Sequence, residues 1–262
     1  MTATMTPTIF ESHAHYDDDA YDDDRDEILR SMPAGGVSHI VNIAASVKSL
    51  RSTKELMEKY PFVYGAMGIH PDDVGDLNED VMAEIRILCQ HEKTVAVGEI
   101  GLDYYWDKEH HDVQKNWFEQ QMELAREVQL PVVIHSRDAA ADTVDMMKAL
   151  RAGNIGGVVH CFSYGKEMAR EYLNMGFYLG IGGVVTFNNA KNLKEVVEYA
   201  PLEQLLLETD CPYLAPVPYR GKRNTSLLIS HIAKEIARIK GISYDEVVAA
   251  TYANAMKVFN LK

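Results

Sequence analysis

Eight short apolar runs, rich in β-branched residues, recur along the chain, and most are followed by a segment with helical spacing. Several runs are almost continuously apolar, which is typical of parallel strands covered on both faces. One strand and one helix per ~30 residues predict a closed (β/α)8 TIM barrel. The predicted strands cover residues 8–13, 37–43, 63–69, 95–100, 132–135, 158–160, 177–181 and 205–208.

A doubly wound open sheet is the alternative for such an alternation. That fold usually carries a glycine-rich nucleotide loop, and the chain contains neither GxGxxG nor a Walker A motif. Helical spacing continues to the end of the sequence, where residues 226–239 and 245–259 are predicted as helices. No low-complexity or Pro/Gly-rich linker divides the chain, so we expect a single domain over residues 1–262.

Cysteine usage indicates the compartment. Cys89, Cys161 and Cys211 are far apart and form no CxxC pair, so neither a disulfide framework nor a thiolate zinc site is indicated. Residues 1–7 lack the pattern of a signal peptide, and no apolar run is long enough to span a bilayer. We therefore expect a cytoplasmic protein without membrane association.

Ionisable residues fall at the ends of the predicted strands. The carboxyl ends of barrel strands converge on one rim, where active sites are built. Six residues that could bind a metal fall at such strand ends, and their common position predicts a joint function. A single histidine at a strand end is more often an ordinary core or surface group. The residues concerned are His13, His15, Glu99, His135, His160 and Asp210.

The pair His13 and His15 carries a geometric argument. Residues two apart on an extended strand point to the same side, so both imidazoles can face one cation. Imidazole and carboxylate ligands suit zinc, manganese or iron better than calcium. A carboxylate such as Glu99 can bridge two metals, and a two-metal site is suited to phosphoryl displacement by an acidified water.

Seven segments resemble the TatD-like metal-dependent deoxyribonucleases of the amidohydrolase superfamily. The resemblance runs from about residue 9 to the C-terminus. The segments are SHAH (12–15), GIHP (68–71), VGEIGLDYY (97–105), LPVVIHSR (130–137), HCFS (160–163), LETDCPYL (207–214) and RGKRN (220–224).

The resemblance implies a role for each ligand. His13, His15, Glu99 and Asp210 would bind one metal, and Glu99 would bridge to a second metal held by His135 and His160. Asp210 would also orient the attacking water or take its proton. His70 would lie beside the metals and contact the phosphate or the leaving group.

The same resemblance implies an activity. We expect a metal-dependent hydrolase of DNA phosphodiester bonds, commonly a 3′-5′ exodeoxyribonuclease that prefers single strands. Two divalent ions, Mg²⁺, Mn²⁺ or Zn²⁺, would be the cofactors, and the protein would be a cytoplasmic monomer. Asp72 and Thr225–Ser226 depart from the family pattern in loops that could bind substrate, so substrate preference is less firmly implied than the chemistry.

Residues on the loops after the strands have two interpretations each. Arg137, Arg220 and Arg223 could hold substrate phosphate or could form surface salt bridges. The aromatic run 104–106 could stack bases of a single strand or pack over the barrel mouth, and we favour packing. The acidic run 17–24 fits a solvated loop better than an ion site.

The net charge of −13 argues against a protein that binds DNA through a basic face. Positive charge at a nuclease site would have to be local, from metals and a few arginines. A hydrolase of another ester or amide bond, such as an aminoacyl ester or a lactone, is therefore the alternative function on the same metals. A non-catalytic scaffold is disfavoured because all six ligand positions are intact.

Overall fold

The structure, a computed structural model, describes residues 8–262. Within this range eight strands follow one another around one sheet in sequence order, and each pairs in parallel with the next. The last strand returns to the first through a bridge between Ala14 and Cys211 and a 2.9 Å hydrogen bond from Ser12 Oγ to Leu207 O. The predicted (β/α)8 TIM barrel is thereby confirmed. The strands are β1 (Ile9–Ala14), β2 (Val37–Ile43), β3 (Val63–Ala66), β4 (Thr94–Asp103), β5 (Val132–Arg137), β6 (Gly157–Val159), β7 (Tyr178–Ile181) and β8 (Leu205–Leu207).

Nine α-helices occur in the described range. The two predicted C-terminal helices are present, with residues 226–228 wound as a 3-10 turn before the first of them. Gly241 ends that helix in the left-handed conformation, and a capping box between Ser243 and Glu246 begins the next one. The helices are α1 (Arg25–Ser31), α2 (Val47–Lys59), α3 (Glu79–Leu88), α4 (His111–Val128), α5 (Ala140–Ala149), α6 (Lys166–Asn174), α7 (Lys191–Tyr199), α8 (Ile229–Lys240) and α9 (Tyr244–Val258). Among residues 8–262, none of the helices combines the length and the apolar composition that a membrane span requires.

An apolar cluster fills the barrel interior. It takes at least one side chain from each of the eight strands, among them Phe10, Val95 and Val158 from the amino-terminal halves. Val258 and Phe259, at the end of α9, join the same cluster. The amino-terminal end of the barrel is therefore packed with side chains, and polar residues are left to the opposite end.

Strand β4 is longer than predicted, and a glycine explains the difference. Gly101 adopts φ 148°, a conformation that other residues rarely tolerate, and a Cβ there would lie 1.9 Å from His135 O. This close approach lets β4 continue beside β5 until Asp103 pairs with Arg137. The extension brings Asp103 to the rim.

Helix α4 fixes two loops at that rim through buried glutamines. Gln114 accepts from Asp103 N at 2.9 Å and donates to Asp103 O at 2.9 Å. Gln121 accepts from Ile69 N at 2.8 Å and donates to Ile69 O at 3.1 Å. A buried backbone group without a partner is costly, so these paired amides hold the segments that carry His70 and Asp103.

Candidate metal centre

The six side chains predicted as ligands meet at the carboxyl rim of the barrel. His13 lies on β1, Glu99 on β4 and His135 on β5. His15 and His160 directly follow β1 and β6, and Asp210 lies three residues after the end of β8. The side chains of His13 and Glu99 are almost fully buried, whereas that of Asp210 is 15% exposed. The rim thus combines a buried floor with an accessible carboxylate.

Glu99 lies at the centre of the cluster, and its two oxygens face different histidine pairs. Oε2 lies 3.4 Å from His13 Nε2 and 3.9 Å from His15 Nε2. Oε1 lies 2.7 Å from His135 Nδ1 and 2.5 Å from His160 Nε2. One carboxylate therefore contacts two separate sets of nitrogen donors.

Asp210 completes the first of these sets. Its Oδ1 lies 3.4 Å from His15 Nε2 and 3.7 Å from His13 Nε2. The Asp210 amide donates to His13 O at 3.0 Å, so the loop after β8 is tied to β1. The barrel closure described above therefore also sets the position of Asp210.

Hydrogen bonds on the far side of two imidazoles determine which nitrogen faces the cluster. His15 Nδ1 lies 3.0 Å from Ile43 O, which can only accept, so Nδ1 carries the proton and Nε2 presents a lone pair. His135 Nε2 lies 3.0 Å from Asp103 Oδ2, which leaves Nδ1 facing Glu99. Asp103 lies within the VGEIGLDYY segment, but the sequence alone indicates no role for it, because its contact with His135 requires the extended β4.

Burial and charge keep both carboxylates of the cluster ionised. Burial alone would raise the pKa of Glu99, but His160 and His13 outweigh it and hold that pKa well below its usual value. Burial also opposes ionisation of Asp210, and the hydrogen bond from His15 lowers its pKa nevertheless. Negative charge is therefore concentrated in a buried place, where it requires a cation or protons as partner.

The pKa values of the histidines in the cluster shift in opposite directions. Burial lowers the pKa of His13 to about 4. For His15, Asp210 and Glu99 outweigh burial and raise the pKa to about 9, and for His135, Asp103 and Glu99 do the same. In the absence of a cation, His15 and His135 therefore carry protons at neutral pH.

The donor set fits divalent cations. His15 Nε2 lies 3.1 Å from His13 Nε2, so a proton or a cation must lie between the two nitrogens. Three of the groups able to hold a metal ion share members of the cluster, and nitrogen with carboxylate oxygen suits transition-metal ions and zinc. These residues could therefore hold metal, and the ligand assignment remains a prediction.

His70 lies beside the cluster and presents a proton to it. Its Nδ1 accepts from Asp72 N at 3.2 Å, and its Nε2 lies 3.8 Å from Glu99 Oε1. Burial, reinforced by His135, lowers the pKa of His70 to about 3. The ring is therefore neutral, with its single proton on Nε2 and directed toward the cluster.

The three arginines predicted to contact substrate lie in different places. Arg137 lines a cavity of about 810 Å³ that opens above the cluster. Arg220 covers the ring of Phe187, at 4.4 Å, and does not line this cavity. Arg223 donates to Ala20 O at 2.7 Å and to Asp24 Oδ1 at 2.8 Å. For Arg220 and Arg223, substrate contact remains a prediction without support from this arrangement.

The acidic run behaves as a loop. Asp18 caps a 3-10 turn, Asp19 pairs with Lys48, and Asp24 pairs with Arg223. Of the aromatic run, Tyr104 packs on His111 and donates to Asp142, whereas Tyr105 and Trp106 are exposed. Tyr104 is therefore packed against neighbouring side chains, whereas Tyr105 and Trp106 remain largely exposed.

Comparison with known proteins identifies the family. The model of a family described as "TatD related DNase" matches residues 10–260. An uncharacterized metal-dependent hydrolase, YabD, of Bacillus subtilis is 44% identical over 253 residues, which cover 97% of this chain and 99% of that protein. A protein named 3'-5' ssDNA/RNA exonuclease TatD, of Cronobacter sakazakii, is 34% identical over 245 residues, covering 91% and 93% of the two chains.

A solved structure agrees with this assignment. The crystal structure of YJJV, a TatD homolog from Escherichia coli K12, matches with a TM-score of 0.93 and 27% identity, and the match covers 98% of this chain and 100% of that chain. The predicted family resemblance is confirmed, and so is the predicted class of enzyme. The chain belongs to the TatD related DNase family and is a metal-dependent hydrolase.

Proposed function

We propose that the protein hydrolyses DNA phosphodiester bonds with two divalent metal ions, as a 3′-5′ exodeoxyribonuclease acting on single strands. The observation that carries the proposal is the position of Glu99, whose two oxygens face two different histidine pairs. A carboxylate in that position suits a bridge between two cations, and a pair of cations is the arrangement used for in-line phosphoryl displacement.

The ligands divide between the two ions according to these contacts. His13, His15, Asp210 and Glu99 Oε2 would hold one ion, and His135, His160 and Glu99 Oε1 the other. Mg²⁺, Mn²⁺ and Zn²⁺ are the candidate metals; the imidazole nitrogens favour Zn²⁺, whereas the carboxylate oxygens also suit Mn²⁺ and Mg²⁺. When bound, the ions supply Lewis acidity, which acidifies water and balances the charge that builds on a phosphodiester.

We assign the proton transfers to two residues of the chain. Asp210 is the more exposed carboxylate of the cluster, 15% against 3% for Glu99, so it can accept the proton of an attacking water. His70 presents Nε2–H to the same space and would donate to a phosphate or leaving-group oxygen. Arg137 would contact the substrate phosphate from the cavity wall.

The substrate assignment rests on the relatives and on this cavity. A relative covered by most of this chain is named as an exonuclease acting on single-stranded DNA and RNA. A cavity that opens at one rim of the barrel suits the free end of a strand. We also propose that the protein acts as a monomer in the cytoplasm. DNA is proposed as the substrate, with RNA strands as the first comparison.

A second candidate is hydrolysis of another ester or amide bond, such as an aminoacyl ester or a lactone. The acidic cavity wall favours it, because Asp17, Asp72 and Asp73 line the same space and repel a polyanion. These carboxylates would tolerate a neutral or cationic small substrate.

A nuclease assay with a 3′-labelled single strand and Mg²⁺, Mn²⁺ or Zn²⁺ tests the proposal. We expect release of labelled mononucleotide by the wild-type protein, its loss in Glu99→Ala, and its retention in the control Glu92→Ala, which alters an exposed carboxylate. Circular dichroism checks that Glu99→Ala remains folded. No cleavage with any metal, together with turnover of a small ester, would favour the second candidate, and cleavage by Glu99→Ala would contradict the bridging role.

A further inference from the structure

Two exposed aromatic side chains stand at the edge of the cavity, above the end of β4. Trp106 is 67% exposed and Tyr105 is 44% exposed, although large aromatic residues usually bury most of their surface. The guanidinium of Arg137 lies 3.9 Å from the Tyr105 ring centroid and 5.6 Å from that of Trp106. We call Tyr105, Trp106 and Arg137 the Trp106 shelf.

The shelf is held in place by its backbone. The amides of Tyr105 and Trp106 both donate to Asp103 Oδ1, at 2.8 and 3.0 Å. The other oxygen of the same carboxylate contacts His135 Nε2. One side chain therefore connects the shelf with the metal cluster, so the shelf has a defined position relative to the reacting centre.

The wall of the cavity at Arg137 and Trp106 differs in charge from the wall at Lys48. Apart from the histidines at the metal centre, Lys48 and Arg137 are the basic side chains among the described residues that line the cavity, and Lys48 is paired with Asp19 at 2.9 Å. Within residues 8–262, the guanidinium of Arg137 contacts the rings of Tyr105 and Trp106 and is not paired with a carboxylate. For a polyanion that enters this acidic cavity, the guanidinium of Arg137, next to Trp106, is therefore the cationic side chain free to bind a phosphate.

Resting on the function proposed above, we propose that the Trp106 shelf is a nucleotide subsite: a base of the single strand stacks on Trp106 while Arg137 holds an adjacent phosphate. The strand then leaves the metal centre across the edge formed by β4 and β5. Stacking on an indole face is tolerant of sequence, because every base presents a π-face. The subsite thus provides affinity for single strands without base recognition.

Strand binding and cleavage by Trp106→Ala and Trp106→Phe test the subsite. The second probe is a strand of equal charge whose four 3′-terminal nucleotides lack bases. Trp106→Ala should raise KM for the base-bearing strand about 5- to 150-fold, with kcat nearly unchanged. It should have no effect on the abasic strand, and Trp106→Phe should restore most of the loss.

Arg137 is tested by its salt dependence. Loss of one phosphate contact to a single strand should reduce the slope of log Kd against log salt by about 0.7 in Arg137→Ala. Arg137→Lys should keep the slope but lose affinity, because an ammonium does not stack on Tyr105. Lys48→Ala is the matched control, and its slope should equal that of the wild type.

Binding is measured by fluorescence anisotropy with Mn²⁺ in an Asp210→Asn background, so that turnover is not required. Equal Kd values for Trp106→Ala and its parent would overturn the subsite even if the wild type cleaves DNA. Trp106-dependent binding without any cleavage by the wild type would support the subsite and contradict the nuclease proposal. A strand that is neither bound nor cleaved would overturn both.

Discussion

His135 Nε2 and Asp103 Oδ2 lie 3.0 Å apart, and this contact determines which imidazole nitrogen of His135 faces Glu99. Asp103→Asn replaces an acceptor with an amide that can donate, which favours the other tautomer and puts a proton on Nδ1. Metal affinity at the second position should fall about 10- to 100-fold. Titration with Zn²⁺ or Mn²⁺ measures the loss, and Asp142→Asn, a nearby carboxylate that touches no predicted ligand, is the control. Unchanged affinity in Asp103→Asn would remove the orienting role.

Metal binding should release protons, because the pKa values of His15 and His135 are both raised to about 9. Below pH 9 both imidazoles are protonated in the metal-free protein, and both must lose the proton to bind metal. Apparent metal affinity should therefore rise as pH increases toward 9, with about two protons released near pH 7.5. Calorimetry in buffers of different ionisation enthalpy counts these protons. A count of zero would contradict the predicted ligation.

His70 should contribute to turnover without shaping the pH profile. Since its pKa is lowered to about 3, the ring stays neutral from pH 5 to 9. His70→Ala should lower kcat about 10²-fold, as expected for a lost proton donor, at every pH in that range. His110→Ala, at an exposed histidine outside the cavity, should leave kcat unchanged. If an acidic limb of the wild-type profile disappears in His70→Ala, the neutral-donor assignment is wrong.

Gly101→Ala should destabilise the fold and the site together. The added Cβ would meet His135 O at 1.9 Å, and φ 148° strains any side chain. We expect a loss of about 2–5 kcal/mol in the free energy of unfolding, with reduced metal content. Urea denaturation compares it with Gly75→Ala, where no atom lies within 4 Å of the new Cβ and the change should stay within about 0.5 kcal/mol. Similar stability of the two variants would show that β4 can relax away from β5.

Much of the site was predictable because a parallel barrel brings strand ends together. His13, Glu99 and His135 each close an apolar run, and topology alone then places them on one rim. The predicted ends of the strands were less accurate than their positions along the chain. The run 63–69 remains apolar after β3 ends at Ala66, and apolar composition alone does not mark the end of a strand.

Contacts between distant parts of the chain were not predictable. Arg223 pairs with Asp24, which lies 199 positions earlier. The residues next to Arg223 in the sequence therefore give no indication of this pairing. The role of Asp103 depends on the close approach at Gly101, which a single sequence does not reveal. The three residues of the aromatic run differ in packing for a similar reason, because Asp142 and His111 contact Tyr104 and not its two neighbours.

Gln114 and Gln121 make α4 a spacer between the end of β4 and the loop that follows β3. They lie seven positions apart, which is about two turns and ~10 Å of helix, so they share one face and hold their loops at a set separation. Inserting or deleting a single residue between them would swing one glutamine by about 100° away from its loop. The distance between His70 and the His135–Asp103 pair would then no longer be maintained, although no residue at the metal cluster had been altered. A helix on the outside of the barrel therefore limits which changes in chain length this site can survive.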